Sequence, residues 1–207
     1  MTRTLSLDDE LTPLVDAFRD GRPTIIPTDT VYGIATGAHV PEGCERLSRL
    51  KGRDPAQPMA LVCGSVDAIL TTVLPELLGP AGERARRLLP GPVTLIVPNP
   101  ARRYRWLAGP TPDRIGLRVP DLDPRLAAAI DHVGAIAATS ANPTGHPPPQ
   151  RLGEVDAALL DRVAIALDGG EVGGLASTVI DLTGPEPVIL REGPMTADEV
   201  QRRLEGL

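Results

Sequence analysis

The chain has 207 residues, of which 42% are hydrophobic, 23% charged and 2% aromatic, and its formal net charge is −6. This composition is typical of a globular protein, and the negative charge argues against a surface that binds nucleic acid nonspecifically. The apolar runs are much shorter than the roughly 20 residues that a membrane-spanning helix needs. The N-terminal segment is acidic and the chain has only two cysteines, so we expect a cytoplasmic protein without a disulfide framework.

Helical and strand-like patterns alternate along the chain, which predicts an α/β fold. In chain order, we predict helices at 8–20, 41–50, 65–72, 79–89, 124–131, 152–160 and 196–205. Strands are predicted at 24–26, 59–62, 93–97, 115–119, 135–138, 163–167, 178–182 and 188–190. Proline and glycine are spread over short connections and form no linker, so we expect one domain spanning residues 1–207.

Polar residues are concentrated in connections that adjoin strands. Residues 28–33 contain two threonines, an aspartate and a tyrosine, and residues 138–145 contain hydroxyls and an amide suited to binding an anion. Turns closed by side-chain hydrogen bonds are the alternative interpretation of both segments. Because ligands bind at strand ends in open α/β sheets, these connections predict a binding cleft.

The cations follow a similar pattern. Lys51 is the only lysine among 21 basic residues, and Arg53 lies two residues beyond it in a segment, 51–58, that follows a predicted helix. An ammonium and a guanidinium so placed are suited to clamp a polyphosphate, and a cationic helix end that stabilises the macrodipole is the alternative. Arg191 directly follows a predicted strand, where it can reach into a cleft or form a surface ion pair.

Several common site motifs are absent from the sequence. The only lysine is followed by Gly52 and Arg53, which excludes a Walker phosphate loop. No G-x-G-x-x-G opens a predicted helix, and no G-x-S-x-G nucleophile elbow occurs. The three histidines share no metal-ligand spacing, so we predict no metal-ligating residue.

In combination and in order, successive blocks of the sequence resemble the YrdC/YciO/TsaC family, which includes the threonylcarbamoyl-AMP synthases. The blocks are 27–33, Lys51-x-Arg53, 89–94, 116–120, Ser140-x-Asn142, 177–179 and 190–194. The resemblance extends over residues 8–205. It implies a single YrdC-like domain, in which a twisted mixed β-sheet flanked by helices forms a concave ligand cleft.

The resemblance also implies a reaction. L-Threonine and bicarbonate or CO2 would form N-carboxythreonine, whose carboxylate attacks the α-phosphate of ATP and releases pyrophosphate. The product, threonylcarbamoyl-AMP, would serve the threonylcarbamoyladenosine modification of tRNA. ATP is therefore an expected substrate, Mg²⁺ is expected on its phosphates, and downstream tRNA threonylcarbamoyl-transfer proteins are the expected partners.

By matching position, the resemblance divides the site into two subsites. The ATP subsite contains Lys51, Arg53, Gln57, Ser140, Asn142 and Arg191. Of these, Lys51, Arg53, Ser140 and Asn142 are also the catalytic candidates. The L-threonine subsite contains Thr30, Arg118, Ala138 and Ser177. Arg118 would pair with the carboxylate of the amino acid.

The sequence leaves two other functions open. A YciO-like protein that binds nucleotide or double-stranded RNA without synthase activity is the main alternative, since Val62, Arg114 and Pro148 differ from residues usual in the family. Residues 101–106, which interleave three arginines with two aromatics, fit an RNA contact or a solvated loop. A carbamoyl-transfer enzyme is the third function, although the chain lacks the cysteines for the zinc-finger-like modules of the hydrogenase-maturation carbamoyltransferases.

Overall fold

The computed structural model describes residues 2–54, 56–143 and 145–206, so that Pro55 and Thr144 of the polar segments lie outside the description. The helices are α1 (Thr12–Arg19), α2 (Pro41–Leu50), α3 (Val66–Ala68), α4 (Gly79–Leu88), α5 (Pro124–His132), α6 (Ala157–Leu160) and α7 (Ala197–Glu205). The strands are β1 (Arg3–Ser6), β2 (Thr24–Ile26), β3 (Gly33–Gly37), β4 (Ala60–Val62), β5 (Val93–Pro98), β6 (Arg114–Arg118), β7 (Ile136–Ser140), β8 (Ile165–Asp168), β9 (Thr178–Asp181) and β10 (Val188–Arg191).

All of these strands form one sheet in the order β1-β8-β2-β3-β7-β4-β6-β5-β9-β10. Parallel pairs join β1 to β8, β8 to β2, β4 to β6 and β5 to β9, and the other neighbours are antiparallel. The predicted mixed α/β sheet is therefore confirmed. Within the described ranges, none of the helices has the length and apolarity required to cross a bilayer.

Helices α1 and α5 cover part of one face of the sheet. Leu14 and Phe18 of α1 and Leu126 and Ile130 of α5 pack with Ile26 and other strand residues in one buried apolar cluster. These helices have apolar residues at a spacing of three and four, so each presents one continuous apolar stripe to the strands. This part of the face is ordinary hydrophobic core.

The opposite face carries the larger core. Leu47 of α2 and Leu88 of α4 pack with Leu61, Leu95 and Leu117 of the central strands. Along β5 and β6 buried residues alternate with partly buried ones, as expected for strands with one fully covered face. The alternation places the intervening side chains of β5 and β6 on the same face as α1 and α5, where they are only partly covered.

The structure corrects three of the predicted elements. The helix predicted at 152–160 is wrong: a 3-10 turn, Leu152–Glu154, precedes α6, and the Asp156 carboxylate starts α6 by accepting from the Ala158 and Leu159 amides. The helix predicted at 65–72 continues from α3 into a π-helical turn, Ile69–Val73. The predicted helix 8–20 starts only at Thr12.

Two strands were not predicted at all. β3 has glycine at both ends and is buried throughout, so it lacks the polar–apolar alternation by which half-exposed strands are recognised. β1 is a short strand at the edge of the sheet and only Leu5 is buried. The other predicted elements are confirmed, with ends that shift by no more than two residues.

Candidate active site

A cavity of about 250 Å³ lies beside the part of the sheet that α1 and α5 cover. Its walls come from β2, β3, β4, β5, β6, β7, β9 and β10, from the connection between β2 and β3, and from the segments before β4 and β9. Three arginines, Arg53, Arg118 and Arg191, line it, and its described lining includes no aspartate or glutamate. Such a concentration of positive charge favours an anionic ligand.

The end of α2 positions the first pair of cations. Gly52 has a φ of +58°, its amide donates to the Arg49 carbonyl, and the Arg53 amide donates to the Ser48 carbonyl. These two bonds form a Schellman motif, which ends the helix and turns the chain sharply. Lys51 is the C-cap residue of α2. The turn therefore places Lys51 and Arg53 side by side at the helix end.

Both side chains reach the end of β7. The Lys51 ammonium donates to the Ser140 carbonyl at 2.5 Å, and Arg53 donates to the Thr139 hydroxyl at 2.8 Å and to the Pro58 carbonyl. Burial and the neighbouring Arg53 charge lower the pKa of Lys51 to about 8. The two cations are thus held next to Ser140, whose side chain is partly exposed in the cavity.

Arg118 lines the cavity from the end of β6. Strand alternation puts it on the same face as Gly116, while Leu117 points into the core. Its Nη2 donates to Asp29 Oδ1 at 2.8 Å and to Thr30 Oγ1 at 3.0 Å. The guanidinium is therefore anchored from behind by the connection between β2 and β3.

That connection is a hydroxyl-closed turn as well as part of the site. Thr28 Oγ1 accepts from the Val31 amide at 3.2 Å and shares a 3.0 Å hydrogen bond with Thr30 Oγ1. Thr30 is fully buried and does not line the cavity. The two interpretations of the segment are compatible, because the turn holds the groups that contact Arg118.

Arg191 and Ser177 line the cavity and contact each other. Arg191 is the last residue of β10, directly after a bulge that shifts the register between Ile189 and Arg191. A bulge of this kind re-aims the following side chain. Arg191 Nη2 donates to the Ser177 carbonyl at 2.7 Å, and the Ser177 hydroxyl lies 2.8 Å from that of Thr94.

Three further predicted residues do not line the cavity: Lys51, whose ammonium contacts the Ser140 carbonyl beside it, Asn142 and Gln57. Asn142 Nδ2 donates to the carbonyls of Pro143 at 3.0 Å and His146 at 2.6 Å, so the amide closes the loop after β7. Its Oδ1 is buried and has no hydrogen-bond partner among the described residues. Gln57 is exposed and does not line the cavity.

A second cavity of about 300 Å³ adjoins the first and shares Pro58, Ala60, Thr94 and Val179 with it. Its lining is mostly apolar and includes Met59, Pro58, Ile96, Ala108, Ile115 and Gly116. Arg114 stands at this cavity and pairs with Asp181 at 3.6 Å. The combined groove therefore has a cationic compartment and an apolar one.

The structure brings six of the predicted site residues to the cationic compartment. These are Arg53, Arg118, Ala138, Ser140, Ser177 and Arg191, and Val62 lines the same cavity. Sequence reasoning did not assign a site role to Asp29, Thr94 or Thr139. Each is a polar residue within a segment already noted, but only the fold shows which arginine or serine it contacts.

Comparisons with known proteins agree with this architecture. A relative in Mycobacterium tuberculosis is 36% identical over 187 residues, which are 90% of this chain and 85% of the relative. The threonylcarbamoyl-AMP synthase of Bacillus subtilis is 32% identical over 209 residues, which are 97% of this chain and 58% of that protein. The crystal structure of Pyrococcus abyssi Sua5 complexed with L-threonine superposes with a TM-score of 0.83 at 28% identity, over 98% of this chain and 60% of that one.

The family Sua5_yciO_yrdC, described as "Telomere recombination", matches residues 16–193. This match covers most of the chain and includes every predicted site residue. The chain therefore belongs to the Sua5/YciO/YrdC family.

Proposed function

We propose that the chain is a threonylcarbamoyl-AMP synthase, which forms threonylcarbamoyl-AMP and pyrophosphate from L-threonine, bicarbonate or CO2, and ATP. The observation that carries the proposal is the convergence of Arg53, Arg118 and Arg191 on one cavity that opens into an apolar one. A nucleotide and an amino acid together need this combination of anion-binding and apolar surface. The relative of that name and the threonine-complexed Sua5 structure support the assignment.

ATP is assigned to the Lys51–Arg53 side of the groove. Lys51, Arg53 and Ser140 lie together at the ends of α2 and β7 and suit the phosphates. The adjoining apolar cavity suits the faces of the purine ring. Arg191 completes the cationic lining, whereas Gln57 and Asn142 stay predicted contacts that require movement of their loops.

L-Threonine is assigned to the Arg118 side. The guanidinium of Arg118 suits the carboxylate of the amino acid, and the Ser177 hydroxyl and Ala138 lie in the same lining. Thr30 contributes to this subsite through its hydrogen bond to Arg118, since it is buried behind the arginine. The two substrates would thus meet over the centre of the sheet.

Positioning and charge stabilisation account for the chemistry of this site. Holding the carbamate oxygen of N-carboxythreonine near the α-phosphate makes the attack effectively unimolecular. Negative charge that develops on the departing pyrophosphate is met by Lys51 and Arg53, whose positions are set before the reaction by the Schellman turn. No covalent enzyme intermediate is needed.

Mg²⁺ fits this proposal as an ion carried by the nucleotide. The described residues contain no group of three or more His, Cys, Asp or Glu side chains arranged to hold a metal. Because Mg²⁺ is usually held by few protein ligands together with substrate phosphates, the ion would bind mainly through phosphate oxygens and neutralise part of the charge of ATP. The protein side chains at that compartment are cations and hydroxyls.

The test is pyrophosphate release from ATP with Mg²⁺ and bicarbonate, with and without L-threonine, for the wild type and Lys51→Ala. We expect threonine-dependent release in the wild type and its loss in the variant. Arg49→Ala is the matched control, since Arg49 lies on the same helix end and its side chain is 72% exposed. Pyrophosphate release that does not depend on L-threonine, or full activity of Lys51→Ala, would contradict the proposal.

The RNA-binding alternative receives less support. In the segment 101–106, the Trp106 ring nitrogen donates to the Ala38 carbonyl at 2.8 Å, and Arg103 pairs with Glu76 at 2.8 Å. Tyr104 packs edge-to-face on Trp106. These groups are used within the protein and are less available to stack on bases. An RNA-binding function without turnover would show steeply salt-dependent binding and no pyrophosphate release.

The remaining expectations stay predictions. They are one domain over residues 1–207, a cytoplasmic location, and transfer of the product to tRNA threonylcarbamoyl-transfer proteins. The last follows from the proposed function, because a mixed anhydride of a carbamic acid and AMP is a reactive donor. Copurification of the chain with a transfer protein in the presence of ATP and L-threonine would test it.

A further inference from the structure

An ion pair with little solvent exposure lies directly behind the cationic compartment. Arg118 Nη2 and Asp29 Oδ1 are 2.8 Å apart, and the two side chains are only 11% and 10% exposed. Arg118 lines the cavity, but Asp29 does not. The carboxylate therefore contacts the arginine from the protein side, away from the position of a ligand.

Asp29 is itself held at its other oxygen. Its Oδ2 accepts from the backbone amide of Asp121 at 3.2 Å. Asp121 lies in the connection between β6 and α5, whereas Asp29 lies between β2 and β3. One carboxylate thus links two separate connections, and its orientation is restrained at both oxygens.

This arrangement leaves part of Arg118 unused by the protein. Its hydrogen bonds to described residues, with Asp29 and Thr30, both come from Nη2. Its Nε is buried without a partner in the described chain. A buried donor without a partner is costly, so the remaining guanidinium N–H groups favour an acceptor that enters the cavity.

Charge gives Asp29 a second role. The Arg118 guanidinium is buried and lies close enough to Arg191 for the two positive charges to repel each other. A buried cation in such surroundings needs a countercharge. Asp29 supplies that countercharge without occupying the cavity, which leaves the cavity face of Arg118 for an anionic ligand.

We propose that Asp29 is a positioning residue, which orients Arg118 so that its free N–H groups face the carboxylate of the amino-acid substrate. This inference rests on the proposed function, because it takes L-threonine as the ligand of Arg118. Asp29 acts through Arg118 and touches neither substrate. It thereby makes the site selective for amino acids that carry a free carboxylate.

The distinguishing measurement compares L-threonine with L-threonine amide, which keeps the side chain and the amine but replaces the carboxylate. Affinities are measured by titration calorimetry without ATP for the wild type, Asp29→Asn and Asp29→Ala. Asp29→Asn keeps the size and an acceptor oxygen for Arg118 but removes the charge. Asp20→Asn is the control, because Asp20 is a carboxylate that also pairs with an arginine but is exposed and does not line the cavity.

We expect the wild type and Asp20→Asn to bind L-threonine at least about 20-fold more tightly than the amide, as is typical of a charge-assisted hydrogen bond. In Asp29→Ala the preference should fall to about twofold, and in Asp29→Asn it should take an intermediate value. The ATP affinity, measured separately, should stay within about twofold of the wild type, because Asp29 lies on the amino-acid side of the groove.

The outcomes separate the inference from the function on which it rests. If the wild type does not bind L-threonine, the proposed function is contradicted, and the inference that rests on it is overturned with it. If the variants keep or exceed the wild-type preference for L-threonine over the amide, Asp29 acts only as a structural group or a countercharge, and the inference is overturned. If Asp29→Ala does not fold, the test rests on the ratio of the affinities of Asp29→Asn for L-threonine and its amide. A ratio equal to that of the wild type overturns the inference, and a smaller ratio supports it.

Discussion

Two parts of one face of the sheet differ in whether helices cover them. Under α1 and α5 the face is apolar core, with Leu14, Phe18 and Ile130 fully buried. Next to it the same face carries Arg118 and Thr94, which line a cavity. Along the strands of both parts, successive side chains point to opposite faces of the sheet. Coverage by helices is therefore what makes one part core and leaves the other as a site.

Stability and function are separated on this face of the sheet. Burial of apolar area stabilises the covered part, and each large side chain there contributes a few kcal/mol. The open part gathers cations that repel one another and are compensated by the Asp29 carboxylate, by carbonyl oxygens and by the Thr30 and Thr139 hydroxyls. Substitutions in the first part should therefore change unfolding, and substitutions in the second should change ligand binding.

The largest effect should come from Phe18→Ala in the covered part. Phe18 is fully buried between α1 and the sheet, so we expect a loss of about 3–5 kcal/mol in the free energy of unfolding. Urea unfolding followed by circular dichroism measures this loss. The KM values for ATP and L-threonine, determined below the melting transition, should stay within about twofold. A large KM change would show that the two parts are not separate.

Arg191→Ala tests the open part. Arg191 is exposed and donates to the Ser177 carbonyl, so its removal should change the free energy of unfolding by less than about 1 kcal/mol. The KM for ATP should rise by about tenfold, because one cation of the lining is lost. Leu190→Ala is the matched control, since Leu190 is the exposed neighbour on the same strand. Equal KM values for Arg191→Ala and the control would contradict the assignment.

The pH dependence of ATP binding should report on Lys51. Burial and the Arg53 charge lower the pKa of Lys51 to about 8, so the ammonium is lost as the pH rises through that value. If only the ammonium binds phosphate, the apparent ATP affinity should fall by about fivefold between pH 8 and pH 9. Lys51→Arg, which stays charged, should show no such fall, whatever its absolute affinity.

The contribution of Lys51 to folding stability should change with pH in the opposite direction to ATP binding, which provides a check. The pKa of an unfolded lysine is near 10.5, so between pH 8 and 10.5 the unfolded state binds more protons at Lys51 than the folded state. The contribution of Lys51 to stability therefore rises with pH in this window. Weaker ATP binding at pH 9 cannot then come from unfolding at this residue, and a fall in both quantities would count against the explanation.

The smallest effect should come from Thr94→Val. The Thr94 hydroxyl lies 2.8 Å from that of Ser177, and valine has nearly the same shape without the hydroxyl. We expect the KM for L-threonine to rise by about two- to fivefold and the free energy of unfolding to change by less than about 1 kcal/mol. Thr183→Val is the control, because the Thr183 hydroxyl donates to Asp181 at a turn and Thr183 does not line the cavity.

The sequence predicted much of the fold because most elements carry local signals. The apolar spacing of α2 and the proline at its first turn gave its bounds, Pro41–Leu50, without error. β3 was not predicted because its residues are buried on both faces of the sheet and include two glycines. The break before α6 was missed because Asp156 acts as a cap only when the chain turns there, which its residue type alone does not reveal.

For the site, the sequence shows which segments carry cations, hydroxyls and amides and the order in which they occur. Which of these groups come into contact depends on the tertiary structure. Arg118 and Asp29 are 2.8 Å apart although 89 positions separate them, because the sheet brings the end of β6 close to the turn between β2 and β3. Local patterns encode helices and strands through short-range periodicity, but such a contact depends on strand order and on the part of a face that no helix covers.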